Sequence, residues 1–191
     1  MRVQRFSEHR AMPWANGKGT SYEIASDRDD EDRWSWRVAI APVVVDGEFS
    51  SLPGVDRELV VIEGNGMVLD VDGKSVECIP SQVVRFSGDS TTFARLVDGP
   101  VVDLGLMTTR GSIFGSMVVI ADAGDVAESD VIMAVGEAAF EDKNGKHYIL
   151  GSKDALLDGR GHQLSLLSGL AIAIQVNSEP TLTETLVNLG S

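Results

Sequence analysis

Arg57 poses the central chemical question of this 191-residue chain: it follows Asp56 and precedes the apolar run Glu58 to Ile62, which closes on Gly64-Asn65-Gly66. A guanidinium at the mouth of a buried strand needs a carboxylate neighbour or a bound anion to offset its desolvation. Arg57 is therefore read either as an anion contact or as half of an internal ion pair with Asp56 or Asp103. Further along, strand alternation places Val101, Asp103, Gly105 and Met107 on one face and Leu104 and Leu106 on the other. If the Asp103 face lines a lumen, Gly105 leaves room for a ligand, Asp103 offers a polar contact and Met107 a soft apolar wall.

Other chemistries find weaker support. His9, His147 and His162 are isolated from one another, so no His-x-His metal motif exists, and neither a metal nor another cofactor is expected. No Gly-x-Ser-x-Gly elbow is present, since Gly111-Ser-Ile-Phe-Gly115 has the wrong order. Acid-base chemistry by Asp103 or Glu63 stays open, which makes a metal-free isomerase or hydrolase the alternative to a non-catalytic binder.

The elements that must position these residues are short β runs: Trp34 to Ala41, Glu58 to Ile62, Met67 to Val71, Ser75 to Ile79, Gln82 to Phe86, Thr92 to Val97, Val101 to Met107, and a similar set after Val118. No long stretch keeps a helical period, so the fold class is all-β. Asp72-Gly73 and Asn144-Gly145 each mark a tight hairpin. Gly64 and Gly136, Gly73 and Gly145, and Lys74 and Lys146 are each 72 residues apart, which predicts two copies of one unit. Two stacked antiparallel barrels or jelly rolls follow: an N-terminal loop-and-strand segment over 1–41, a first barrel over 42–111 and a second over 112–191. Trp34 and Trp36 share a strand face with Val38 and Ile40, while Arg37 points the other way. The Asp27 to Asp32 stretch reads as a solvated loop.

Composition bounds the partners. A formal charge of -13, from 16 Lys and Arg against 29 Asp and Glu, argues against nucleic acid and against an anionic membrane surface. The single Cys78 excludes an internal disulfide and reads as a buried small residue. With no signal-like N-terminus and no long apolar run, a cytoplasmic protein is expected. The net charge does not forbid a small anionic metabolite: screening removes the field within ~8 Å, whereas a bidentate guanidinium-carboxylate contact contributes ~1.5 to 3 kcal/mol.

The run Pro13-Trp-Ala-Asn-Gly-Lys-Gly-Thr-Ser-Tyr-Glu-Ile-Ala25, the run Trp34-Ser-Trp-Arg-Val-Ala-Ile-Ala41 and the segment Gly99-Pro-Val-Val-Asp-Leu-Gly-Leu-Met-Thr-Thr-Arg110 together resemble the HutD/Ves family. That resemblance implies a double-stranded β-helix of the cupin type with two barrels (a bicupin), usually a cytoplasmic homodimer. It also implies a regulatory link to histidine utilisation or stress, without established catalysis, and urocanate or a formylated amino acid as candidate ligands. It places Asn16 and Gly17 near a barrel mouth, where Asn16 can hydrogen-bond a carboxylate, formyl or carboxamide group, although Asn16-Gly17 also reads as a plain turn. It gives Arg110 a possible site role beside its reading as a surface charge. Five positions depart from the family pattern: Ala15 and Lys18 replace a basic residue and a glycine, Tyr22 and Thr109 replace arginines, and Gly105 replaces an asparagine. The resemblance therefore carries the fold over, and the ligand only in outline. The expected ligand set is Asn16, Gly17, Arg57, Asp103, Met107 and Arg110.

Overall fold

A computed structural model describes residues 1–14, 17 and 19–178. The strands of the first half are β1 (Arg2–Gln4), β2 (Arg10–Pro13), β3 (Thr20–Ser26), β4 (Trp36–Val43), β5 (Gly47–Glu48), β6 (Val55–Glu63), β7 (Met67–Val71), β8 (Lys74–Cys78), β9 (Val83–Ser87), β10 (Thr92–Leu96) and β11 (Val101–Thr109). The second half holds β12 (Ile113–Ile120), β13 (Val126–Ala127), β14 (Val131–Ala134), β15 (Ala138–Asp142), β16 (His147–Leu150), β17 (Ala155–Leu157), β18 (Leu164–Ser168) and β19 (Ala171–Ser178). The one helical element among the described residues is a 3-10 turn over Phe6–Glu8, so no described helix is long and apolar enough to cross a membrane.

The repeat predicted from the glycines reappears in the strand order. The small sheets run β5-β10-β7-β8 and β13-β18-β15-β16, and the large sheets share the core orders β4-β11-β6-β9 and β12-β19-β14-β17. Each strand thus has a counterpart eight strands later. The large sheets differ at their ends, where β2 and β3 extend the first beside β4, and β1 extends the second beside β17. The 1–41 segment is accordingly divided between the two halves. Thr20–Ser26, to which sequence reading gave no strand, forms β3, because its alternation buries Ser21 and Glu23 on one face and Ile24 on the other.

Three cores follow from strand parity. Val38, Ile40, Val60, Ile62, Leu104 and Leu106 leave the large sheet of the first half toward Val131, Met133, Ile172 and Ile174 of the second, which makes one shared core. Leu59, Val61, Met67, Leu69, Cys78 and Val101 fill part of the first barrel. Phe140, Leu150, Leu156, Leu164 and Leu166 fill the second. Trp36 packs on the shared core as expected, but Trp34 precedes β4 and packs with Ala39, Val55 and Met107 on the opposite side.

Candidate functional site

β11 lies between β4 and β6, and the register lines up three rows across them. Arg37, Met107 and Arg57 form one row; Ala39, Gly105 and Leu59 the next; Ala41, Asp103 and Val61 the third. Because Ala39, Ala41 and Gly105 are small, this face does not fill itself, and a cavity of about 380 Å³ remains. A Cβ built on Gly105 meets nothing nearer than Met107 Cε at 3.7 Å. The backbone does not require glycine there; its missing side chain is space. The loop that carries Asp46 and Phe49, together with Trp14, completes the wall. Trp14 is fixed by its indole N–H, which donates to Ser21 Oγ at 2.8 Å.

Arg57 lies inside β6, two residues after its start, because pairing with β9 and β11 continues back past Asp56. Its guanidinium sits 5.0 Å from the ring centres of both Phe49 and Phe86, and its Nη1 donates to the Ser50 carbonyl at 3.3 Å. The two rings give the cation π-faces without neutralising it. Burial pulls its pKa down to about 10, the Asp103 charge opposing and the Arg37 charge adding to that shift. Among the described residues it has no ion-pair partner. Asp56, on the opposite strand face, pairs instead with Arg110 at 2.6 Å.

That pairing decides where Arg110 belongs. It holds Asp56, Asp89 at 2.8 Å and Ser87 Oγ at 2.8 Å on the surface, and it does not line the cavity. Hydrogen bonds from Arg110, the Gly54 N–H and Ser87 draw the Asp89 carboxyl down to about 2.

Asp103, only 5% exposed, lines the cavity and accepts no hydrogen bond from a described residue. Burial pushes its carboxyl up to about 7, against the pull of Arg57. Cys78 lies in the same neighbourhood: burial, with the Asp103 charge adding to it, pushes its thiol up to about 12. Such a thiol is inert at neutral pH.

Sequence reasoning passed over Arg37. Its Nε is buried without a hydrogen-bond acceptor and stands 3.9 Å from Glu23, while Arg28 Nη2 takes the same carboxylate at 2.6 Å. Desolvation lowers the Arg37 pKa. The signal that would have found it was available: Arg37 points away from Val38 and Ile40, as Asp103 points away from Leu104. Pairing β4 with β11 was the missing step. Of the expected ligand set, Arg57, Asp103 and Met107 come together at the cavity. Gly17 holds the turn before β3, with φ +70° and its N–H on the Trp14 carbonyl at 2.9 Å. Asn16 lies outside the described residues.

Barrels of this kind often hold a metal on histidines, and the residues here do not fit one. Strands β3 to β11 contain no histidine, and no group of three or more His, Cys, Asp or Glu side chains converges among the described residues.

Two paired-sheet halves, one enclosing a largely apolar cavity with Arg57, Arg37 and Asp103 in its wall, define a cupin-like protein. The fold matches a cupin 2 conserved barrel domain protein from Leptotrichia buccalis over 93% of this chain and 96% of that one, at 10% identity and a TM-score of 0.55. Within that class the chain belongs to the HutD family, whose sequence model matches residues 6–182. It is similar to the solved structure of HutD from Pseudomonas fluorescens SBW25, with 27% identity, a TM-score of 0.78 and coverage of 94% and 99%. It is 35% identical over 109 residues to an uncharacterized 21.2 kDa protein in the hutC 3' region of Pseudomonas putida, which covers 56% of this chain and 57% of that protein. It is 36% identical over 106 residues to protein Ves of Citrobacter koseri, which covers 53% and 56%. The chain spans little more than half the length of these curated relatives.

Proposed function

We propose that the protein binds a small carboxylate-bearing metabolite in its first barrel and acts in the cytoplasm as a regulatory rather than catalytic component. The observation that carries this reading is Arg57, a cation held between Phe49 and Phe86 at the cavity, with no carboxylate paired to it among the described residues. Arg37, in the same row, adds positive character that Glu23 offsets only in part. A planar carboxylate matches a guanidinium fork, and a ligand of urocanate or formylated-amino-acid size is compatible with the volume. The second barrel, filled by Phe140, Leu150 and Leu166, supports placing the ligand in the first.

Calorimetry against a panel of such acids tests the assignment. Arg57→Met should weaken binding by about 10- to 100-fold, the cost of a charge-assisted contact, with an unchanged circular dichroism spectrum. Equal affinity for every acid in wild type and variant sinks the proposal. The raised carboxyl of Asp103 favours one other reading, a metal-free isomerase or hydrolase in which it is the general base. In that case a bound acid turns over, and Asp103→Asn abolishes product formation.

A further inference from the structure

The cavity places one buried carboxyl, Asp103, beside the cation that the proposed function assigns to ligand carboxylate. Arg57 from β6 and the neutral thiol of Cys78 from β8 lie near enough to share its field, and Arg37 from β4 lines the same cavity. The wall loop adds Asp46, which accepts the Leu96 N–H at 2.8 Å, and the exposed Glu48. Without ligand, Arg57 and an ionised Asp103 balance one another, and Glu23 answers for part of the Arg37 charge. A bound carboxylate brings a second negative charge beside this buried carboxyl. Among the described residues Arg57 is the cavity cation with no paired carboxylate, and two carboxylates beside it cannot both stay ionised at low cost, so one takes a proton. Asp103 is the group placed to do so, since no donor among the described residues stabilises its ionised form.

We propose that Asp103 is a specificity-determining residue that meets the ligand as a carboxylic acid, donating its O–H to a carbonyl or second carboxylate oxygen, so that carboxylate binding draws up to one proton from solvent. The assignment rests on the carboxylate-binding reading above, and it narrows the ligand class to acids that carry a second hydrogen-bond acceptor. An acid with a cation beyond its carboxylate would instead hold Asp103 ionised and bind without proton uptake, whereas an acid with no second polar group leaves the protonated Asp103 unanswered and is selected against. The carboxyl already titrates near neutrality in the empty cavity, which keeps the proton uptake inexpensive.

Carbon-13 NMR of the Asp103 carboxyl, assigned by its loss in Asp103→Asn, tests the coupling directly in the intact chain. Pyruvate serves as the probe with an acceptor and propionate as the probe without one. Saturating pyruvate should raise the Asp103 midpoint by about one pH unit or more, and Arg57→Met should remove that shift. Wild-type affinity for pyruvate should fall as pH rises from the free-protein midpoint to the bound one, by about tenfold for each unit the midpoint shifts, while Asp103→Asn binds independently of pH between about 6 and 8. Pyruvate should bind more tightly than propionate to wild type, and this preference should shrink in Asp103→Asn. Arg57-dependent pyruvate binding that leaves the midpoint unmoved overturns the proton coupling and leaves the carboxylate reading standing. Binding of neither acid at 100 mM overturns both.

Discussion

Asp103 shows how one residue can serve a site at the expense of stability. Its carboxyl titrates near 7 in the fold and near 4 in an unfolded chain, so the folded state binds the extra proton between those values. The stabilising share of the protonated form is complete below about pH 4 and is lost as pH rises through about 7. Asp103→Asn keeps the shape and removes the titration, so its stability advantage over wild type should grow from pH 4 to pH 8, by on the order of 2 to 4 kcal/mol, in urea unfolding. Parallel pH profiles for the two proteins would contradict a raised carboxyl. Gly105 allows a complementary test of the cavity. Its nearest would-be Cβ contacts are ordinary ones, and β-branched residues suit strands, so Gly105→Val should leave the melting temperature within a few degrees while its methyls occupy ligand space. Affinity should drop at least about tenfold by calorimetry, and retained affinity would move the ligand elsewhere. Parity made Asp103, Gly105 and Met107 legible in the sequence. The Phe49 and Phe86 shield on Arg57 was not, because it depends on a loop conformation and on the β6 to β9 register.

Each long strand of the central sheet works on both faces, and β6 does so with charges. Arg57 faces the cavity while its neighbour Glu58 turns to the shared core, where it accepts the Met117 N–H of β12 at 2.7 Å and pairs with Arg85. Among the described residues β12 is an edge strand, and Met117 is buried, so this carboxylate satisfies a backbone donor with no other partner there. Glu58→Ala should therefore cost about 1 to 3 kcal/mol in urea unfolding, and Glu58→Gln less because an acceptor remains. Arg85, which is largely exposed, should matter by under about 1 kcal/mol when changed to Ala. An Arg85→Ala loss equal to that of Glu58→Ala would mean that the ion pair dominates over the backbone contact. At this scale the sequence was most readable where turn chemistry is strict. Asp72 and Gly73, with φ of +50° and +81°, turn β7 into β8 as the Asp-Gly pair predicted. In the second hairpin only Gly145 has positive φ, because its N–H closes on the Asp142 carbonyl across a longer loop. The three-residue β1 had no readable period. It exists because Arg2 to Gln4 find a partner in β17, more than 150 residues away.

The arrangement of the three cores predicts how the whole molecule unfolds. The shared core draws side chains from β4, β6 and β11 of the first half and from β14, β17 and β19 of the second, so neither half can lose its large sheet without exposing the other's apolar face. The N-terminus adds a second tie, since Asp154 accepts hydrogen bonds from Arg5 Nη1 at 2.6 Å and from the Phe6 N–H at 2.9 Å. A duplicated fold with independent barrels would melt in two steps, whereas one with a common core should melt in one. All three tryptophans, Trp14, Trp34 and Trp36, lie in the first half, Trp36 against the shared core, and none packs in the second barrel's own core. Leu166 lies at 1% exposure in the second barrel's own core, remote from those reporters in the topology. Leu166→Ala should destabilise by about 2 to 5 kcal/mol through the cavity it leaves. If the halves are one cooperative unit, the tryptophan transition in urea moves down by the same interval as the far-ultraviolet dichroism transition, although no tryptophan is near the mutation. A tryptophan midpoint that stays at the wild-type value while dichroism develops an early step would separate the barrels energetically, and would assign the shared apolar layer to packing without cooperativity.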